Sequence, residues 1–251
     1  LQSLGGAMIT GCDLNTSLED MERLTELTPH VLAAVGSPVD ASAATAHGTL
    51  GAVEAVLEAE LKDAKPGRAL VHGCGAVGGT VARTLVEHGW TVFTVDLSRE
   101  RAGFPGATPL AQGCPWWELK LDLLLPCSIS GLINAEMASA LRVTSVVPAA
   151  NAPFQSPHLA DDLRRRGIRV LPDPLVNAGA VIADSIERFS PDAWKGAGAT
   201  DVYAFVRQEV RRRANDFLNQ RDQGLSVGAA LDEVAATPST DPIGLSFGDT
   251  Q

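Results

Sequence analysis

Gly73-Cys74-Gly75-Ala76-Val77-Gly78 form a G-x-G-x-x-G run where an apolar stretch, residues 68–72, gives way to helix-forming residues. Each glycine has a mechanical task in this pattern: Gly73 permits a tight turn, Gly75 lets backbone approach a diphosphate, and Gly78 lets the helix pack closely on the strand. The helix starting there, with Ala76 and Val77 in its first turn, presents unpaired N–H groups and a positive dipole end to an anion. Asp96 follows 18 residues after Gly78, at the end of the next apolar stretch. A carboxylate at that place accepts hydrogen bonds from an adenosine ribose and repels a 2′-phosphate. Together these residues specify a dinucleotide, NAD in preference to NADP, although Arg99 and Arg101 lie just beyond Asp96 and could serve a 2′-phosphate. Taken singly, the glycines also fit a plain strand-to-helix turn, and Asp96 a capping aspartate.

These residues need a scaffold, and hydrophobic patterning supplies it. Residues 68–72, 91–95, 121–125, 143–147 and 168–171 read as strands. Helical patterns stand between them at 77–88, 135–141 (opened by Asn134) and 158–166. Alternation at this spacing indicates βαβ units, hence an α/β fold with a Rossmann-type doubly wound parallel sheet. Ahead of it, a strand-like stretch at 7–10 precedes a short amphipathic helix with Thr16 and Glu19 as its capping box. A long helix is predicted over 42–62, with Leu50, Val53, Leu57 and Leu61 on one face. After Asn177 only helices are predicted, over 178–189, 201–223 and 227–236, followed by a mobile tail at 237–251.

Composition narrows the function. Thirty acidic against twenty basic residues give a net charge of −10, a surface that repels phosphate backbones and anionic lipid, so neither nucleic acid nor membrane is an expected partner. The arginine runs 164–166 and 211–213 fall on predicted helices among acids and read as solvated faces. Four cysteines, at 12, 74, 114 and 127, form no CxxC pair and fit a reducing cytoplasm.

Six segments in this order carry a wider resemblance: MITGCDLNT at 8–16, SAATAHG at 42–48, the glycine loop with Asp96, LPCSISGLIN at 125–134, VPAAN at 147–151 and PDPLVNAGAVI at 172–182. From residue 1 to about 187 the chain resembles the Glu/Leu/Phe/Val dehydrogenase family. The end of the chain is also similar to the tryptophan dehydrogenases of its leucine/phenylalanine/tryptophan branch. The resemblance implies NAD-dependent oxidative deamination of a hydrophobic or aromatic L-amino acid to a 2-oxo acid and ammonia, in a homo-oligomer. By position it makes Asp13 the carboxylate that carries protons to and from the amino group. Thr45 orients the nicotinamide, and Pro126 and Cys127 belong to the cofactor-side loop. Asn151 lies near the nicotinamide ribose, Asn177 holds the substrate's α-amino or carboxylate group, and Val181 touches its side chain. Local alternatives stand beside these roles: Asp13 as a helix-flanking aspartate, Cys127 as a packing thiol, Asn177 as a helix N-cap and Val181 as core.

Departures include Ala43 in place of the usual proline, Ser128-Ile129-Ser130 in place of a small-apolar-glycine stretch, and Ala180 in place of glycine. The larger departure is the family's GGGK segment, whose lysine binds the substrate carboxylate. None of Lys62, Lys65, Lys120 and Lys195 stands in a matching context. The expectation is therefore the second half of an enzyme: residues 1–37 end a substrate domain, 38–190 form the NAD-binding domain, 191–236 pack back across the cleft, and 237–251 are the tail. The competing reading is a catalytically incomplete nucleotide-binding module. A shikimate-type dehydrogenase is disfavoured because it leaves the Asp13 and Asn177 segments without a role.

Overall fold

Buried apolar runs without polar alternation, such as Ala69-Leu70-Val71 and Leu123-Leu124-Leu125, need cover on both faces, which a parallel sheet flanked by helices provides. The computed structural model describes residues 1–12, 16–32, 35–60 and 66–237. In chain order the elements are α1 (Leu18–Thr25), α2 (Ala41–Glu60), β1 (Arg68–His72), α3 (Ala76–Glu87), β2 (Thr91–Val95), α4 (Arg99–Ala102), β3 (Ala107–Pro109), β4 (Lys120–Pro126), α5 (Ala135–Ala140), β5 (Arg142–Val146), α6 (Pro157–Arg165), β6 (Arg169–Val170), α7 (Asp173–Val176), α8 (Gly179–Phe189), α9 (Pro191–Gly196), α10 (Ala199–Asp222) and α11 (Val227–Ala236). Six strands form one sheet in the order β3-β2-β1-β4-β5-β6, with every pairing parallel. The chain thus winds outward one way from β1 and then the other way from β4, and ligands of such sheets bind at that reversal.

Alternate residues of the central strands feed different cores, as the two-residue period requires. Ala69, Val71, Leu123 and Leu125 pack with Val53, Val56, Leu85, Val210 and Phe217 beneath α2, α3 and α10. Leu70 and Leu124 face the other way, toward Trp116, Ile133, Leu141 and Leu163. α10 lies along α2, tied by Arg207 to Glu54 (2.6 Å) and by Arg211 to Glu58. Arg212 and Arg213 both pair with the buried Glu209 (2.9 and 2.6 Å), so the second arginine run is engaged by acids. No helix among the described residues is long and apolar enough to cross a membrane.

Some expectations need correction. The capping box of α1 is Ser17 with Asp20, one residue later than Thr16 with Glu19: Ser17 Oγ accepts the Asp20 N–H (3.2 Å) and Asp20 Oδ2 accepts the Ser17 N–H (2.8 Å). Both registers satisfy the cap chemistry, and this one places Met21 in the buried position. The strand expected at 7–10 reduces to a single parallel bridge, Thr10 to Val31, because no sheet edge among the described residues receives it. Lys62, Lys65 and the tail from 238 onward lie outside the described residues.

Candidate functional site

The glycine loop leaves the end of β1 at the sheet's reversal point. Gly73 has φ +92°, and a Cβ there would lie 2.7 Å from the Ser128 Cα, so the turn requires glycine twice over. A Cβ on Gly78 would stand 1.9 Å from the Gly73 carbonyl oxygen and 2.8 Å from the Cys127 Cβ, which fixes how closely α3 approaches the sheet. Gly75 differs from both. It is the N-cap of α3 with an ordinary φ of −70°, and a Cβ on it would meet nothing within 4 Å. Packing does not call for glycine at 75, whereas close approach of a diphosphate to the backbone does. Ala76 and Val77 follow in the first helical turn, whose N–H groups have no partner inside the helix.

Asp96, just past β2, braces this loop. Its Oδ2 accepts the Cys74 N–H (2.7 Å), and its Oδ1 accepts the Ser98 N–H (2.7 Å) together with Nε and Nη2 of Arg101 (3.1 and 2.9 Å). Burial alone would push this carboxyl upward, but the Ser98 and Cys74 N–H groups and Arg101 outweigh it and hold the pKa below the usual range. Asp96 is therefore ionised at neutral pH. Pro126 is buried at the end of β4, and its carbonyl accepts the N–H groups of Ala149 and Ala150 (both 2.9 Å). Cys127 donates its N–H to the His72 carbonyl (2.7 Å). Burial, with the neighbouring Cys74, pushes the Cys127 thiol up to about 12, which leaves it un-ionised and a poor nucleophile.

Two clefts flank the loop. One, of about 700 Å³, is bounded by Gly73, Gly75, Asp96, Arg101, Gln112 and Trp116. The other, of about 1040 Å³, is bounded by Cys12, Thr45, Val77, Cys127, Asn151 and Ala180. They share Cys127, Ser128 and Ile129 as a common wall, so a molecule bent around the glycine loop reaches both. Thr45 projects from α2, its hydroxyl donating to the Ala41 carbonyl (3.0 Å). The loop after β5 is pinned from α7: Asn177 Nδ2 donates to Asn151 Oδ1 (2.7 Å), and the Ala152 N–H, at a residue with φ +41°, donates to Asp173 Oδ2 (2.9 Å). Asn177 therefore does not act as the N-cap of α8, a place taken by Ala178.

The structure thus brings Thr45, Val77, Cys127 and Asn151 to one cleft and Gly73, Gly75 and Asp96 to the other. Asn177 stands behind Asn151. Val181 is 66% exposed on α8 and belongs to neither wall. Asp13 lies outside the described residues, although Cys12 and Thr16 on either side border the larger cleft.

Sequence reasoning missed other parts of the site. His72 Nδ1 lies 2.8 Å from the Ser128 hydroxyl, and its ring tilts against Trp116 at 5.3 Å; burial lowers the His72 pKa. The pair Trp116-Trp117, unusual in a chain with four tryptophans, was the available signal for this wall. Asp184 went unnoticed too. One helical turn beyond Val181, it faces Gly11, and burial followed by the charge of Glu187 raises its pKa to about 6. At the rim, the Tyr203 hydroxyl accepts the Asp40 N–H (2.7 Å) and its ring stacks on His47 at 5.0 Å.

The family model for glutamate/leucine/phenylalanine/valine dehydrogenase matches residues 97–223. Phenylalanine dehydrogenase of Lysinibacillus sphaericus is 27% identical over 205 residues, covering 76% of this chain and 54% of that protein. Valine dehydrogenase of Streptomyces virginiae is 29% identical, covering 95% of this chain and 68% of its own length. The chain spans about half the length of the phenylalanine dehydrogenases it matches. Among solved structures, L-tryptophan dehydrogenase from Nostoc punctiforme superposes with a TM-score of 0.75 at 24% identity, covering 93% of this chain and 67% of the other. A hetero-hexameric glutamate dehydrogenase from Thermus thermophilus gives 0.72 at 21% identity, covering 90% and 62%. At these identities the two structures speak for the fold alone.

Proposed function

From the premise that this chain belongs to the glutamate/leucine/phenylalanine/valine dehydrogenase family, we propose that it forms the coenzyme-binding half of an NAD-dependent amino acid dehydrogenase. One observation carries the reading. The glycine loop lies at the reversal in strand order between β1 and β4, with an ionised carboxylate across from it and a cleft on each side. The free side of Gly75 fits a diphosphate against the first turn of α3, and Asp96, which accepts the neighbouring Cys74 N–H, borders the cleft proposed for the ribose. The smaller cleft, with its indole wall, takes the adenosine end. The larger takes the nicotinamide, oriented by Thr45 with Asn151 near its ribose. When bound, the coenzyme supplies the hydride acceptor.

The chain's own residues then have distinct tasks. Cys127 closes the shared wall as a neutral thiol, and hydride transfer asks nothing more of it. Asn177 fixes Asn151 through its amide and keeps its carbonyl oxygen for a substrate ammonium group. Asp13 is proposed as the proton carrier, the role its position in the family pattern implies. The substrate is a hydrophobic or aromatic L-amino acid, in keeping with the phenylalanine, valine and leucine dehydrogenases among the relatives, and Val181, exposed on α8 next to Ala180 of the larger cleft, is proposed to meet its side chain from outside that wall. Neither Lys120 nor Lys195 borders either cleft. Residues 1–37 are assigned to the end of a substrate domain, 38–190 to the NAD-binding domain and 191–236 to helices closing over it. The protein is expected to work as a homo-oligomer in the cytoplasm.

The test has two parts. Calorimetric titration of the chain with NADH is expected to show saturable one-site binding; absence of binding overturns the reading. NAD reduction is then followed with L-leucine, L-phenylalanine and L-tryptophan, for the chain alone and for the protein extended upstream of Leu1 in its reading frame. Turnover only in the extended protein supports the half-enzyme, while binding without turnover in both favours a nucleotide-binding module.

A further inference from the structure

Asp96 has little left to offer an incoming ribose. Its two oxygens already accept two backbone N–H groups and two N–H groups of Arg101, and its side chain is 7% exposed against 57% for Arg101. What this corner of the cleft presents to solvent is the guanidinium, with the carboxylate behind it. Of the five N–H donors of a guanidinium, two point at Asp96 Oδ1, leaving three on the outward side. The described residues give those three no acceptor.

This changes the electrostatics on which NAD preference rests. A bare carboxylate repels a 2′-phosphate, but one paired at 2.9 Å with a guanidinium has its charge locally cancelled. Arg83 on α3 adds its positive charge to that of Arg101 in opposing the upward push of burial and Asp96 on the Cys74 thiol, with its own guanidinium lying over the Phe104 ring at 5.9 Å. In a chain of net charge −10, this is a local site for an anion. Phosphate is the group a planar fork of donors suits best.

We propose that Arg101 is a coenzyme-selecting residue: it masks Asp96 and turns its free donors to the ribose 2′-position, so that the cleft takes NADPH as well as NADH. The proposal rests on the dinucleotide reading of the cleft, and the two fail separately. In the adenosine cleft a 2′-phosphate draws Arg101 outward while Asp96 keeps its bonds to Cys74 and Ser98. A plain ribose instead places its hydroxyls beside the existing pair.

The test is calorimetric titration of the wild-type chain and of Arg101→Ala and Arg101→Lys with NADH and NADPH, with circular dichroism to establish that each variant is folded. The wild type is expected to bind NADPH within about tenfold of NADH. In Arg101→Ala the NADPH-to-NADH affinity ratio falls more than tenfold, a change of about 1.4 kcal/mol. Arg101→Lys, which keeps the charge but loses the fork, falls in between. Wild-type discrimination against NADPH greater than about a hundredfold, or an unchanged ratio in Arg101→Ala, overturns the proposal and leaves the NAD site standing. Failure of NADH itself to bind the wild type removes the site and the proposal with it.

Discussion

Replacement of Gly75 by alanine separates a functional glycine from a structural one. Its φ of −70° and ψ of −159° are open to any residue, and the new methyl group meets no atom within 4 Å. Two small effects on stability oppose each other. Reduced freedom of the unfolded chain stabilises by about 0.4–1 kcal/mol, and alanine is a poorer N-cap than glycine by up to about 1 kcal/mol. The net change is expected within about 1 kcal/mol, or roughly 2–4 °C in melting temperature for a chain of this size. Binding should behave differently. A methyl group between the backbone and a diphosphate lengthens the charge-assisted hydrogen bonds from the first turn of α3, each worth about 1.5–3 kcal/mol. Losing one weakens NADH more than about tenfold. Calorimetry with NADH and thermal melts on the same preparation decide the matter. An affinity within threefold of wild type, in a normally folded variant, would show that no diphosphate lies against Gly75 and would refute the reasoning that assigns this loop to a coenzyme.

The neighbouring glycine gives the opposite pattern. In Gly78→Ala the added carbon lies 1.9 Å from the Gly73 oxygen, so α3 must shift and stability falls by about 1–3 kcal/mol or more. A thermal melt unchanged from wild type contradicts that packing. Asp184 gives a pH-dependent prediction: its folded pKa of about 6 exceeds the ordinary aspartate value of 3.8, so the folded state holds the proton more tightly. The stability this confers is complete below the unfolded pKa and is lost as pH rises through about 6. Asp184→Asn should therefore be more stable than wild type at pH 8, by roughly 1 kcal/mol once solvent screening of a half-buried group is allowed for, and this gain should shrink at pH 4. Urea unfolding at both pH values checks it, and an equal difference at the two contradicts it.

Much of the scaffold was legible because it depends on local patterning. β1 and β2 begin and end where the apolar stretches do, Asn134 caps α5 through the Met137 N–H (2.9 Å), and α11 occupies its predicted span. β3 was not legible: Ala107-Thr108-Pro109 has no apolar run and becomes a strand only by lying against β2. α7 and α9 were missed because each is a short turn opened by proline-containing sequence, where propensity says little. In the site, the glycines and Asp96 declare themselves by spacing. The masking of Asp96 by Arg101 does not, since a separation of five residues across a turn and a short helix predicts no contact. Trp116 and Asp184 are tertiary in the same sense: one enters its cleft from a single 3-10 turn, Trp116–Glu118, and the other owes its raised pKa to burial that no local pattern encodes.

The bond from Tyr203 to the Asp40 N–H spans 163 residues, and the ion pair of Arg207 with Glu54 spans 153. During synthesis the six strands are therefore complete before the last support of the Thr45 helix has been made. A polypeptide released after β6 carries all six strands and the glycine loop, yet lacks Val210 and Phe217, which cover one face of the sheet, and the phenol that holds the rim at Asp40. The order in which the ribosome delivers the parts runs opposite to the order in which a ligand meets them.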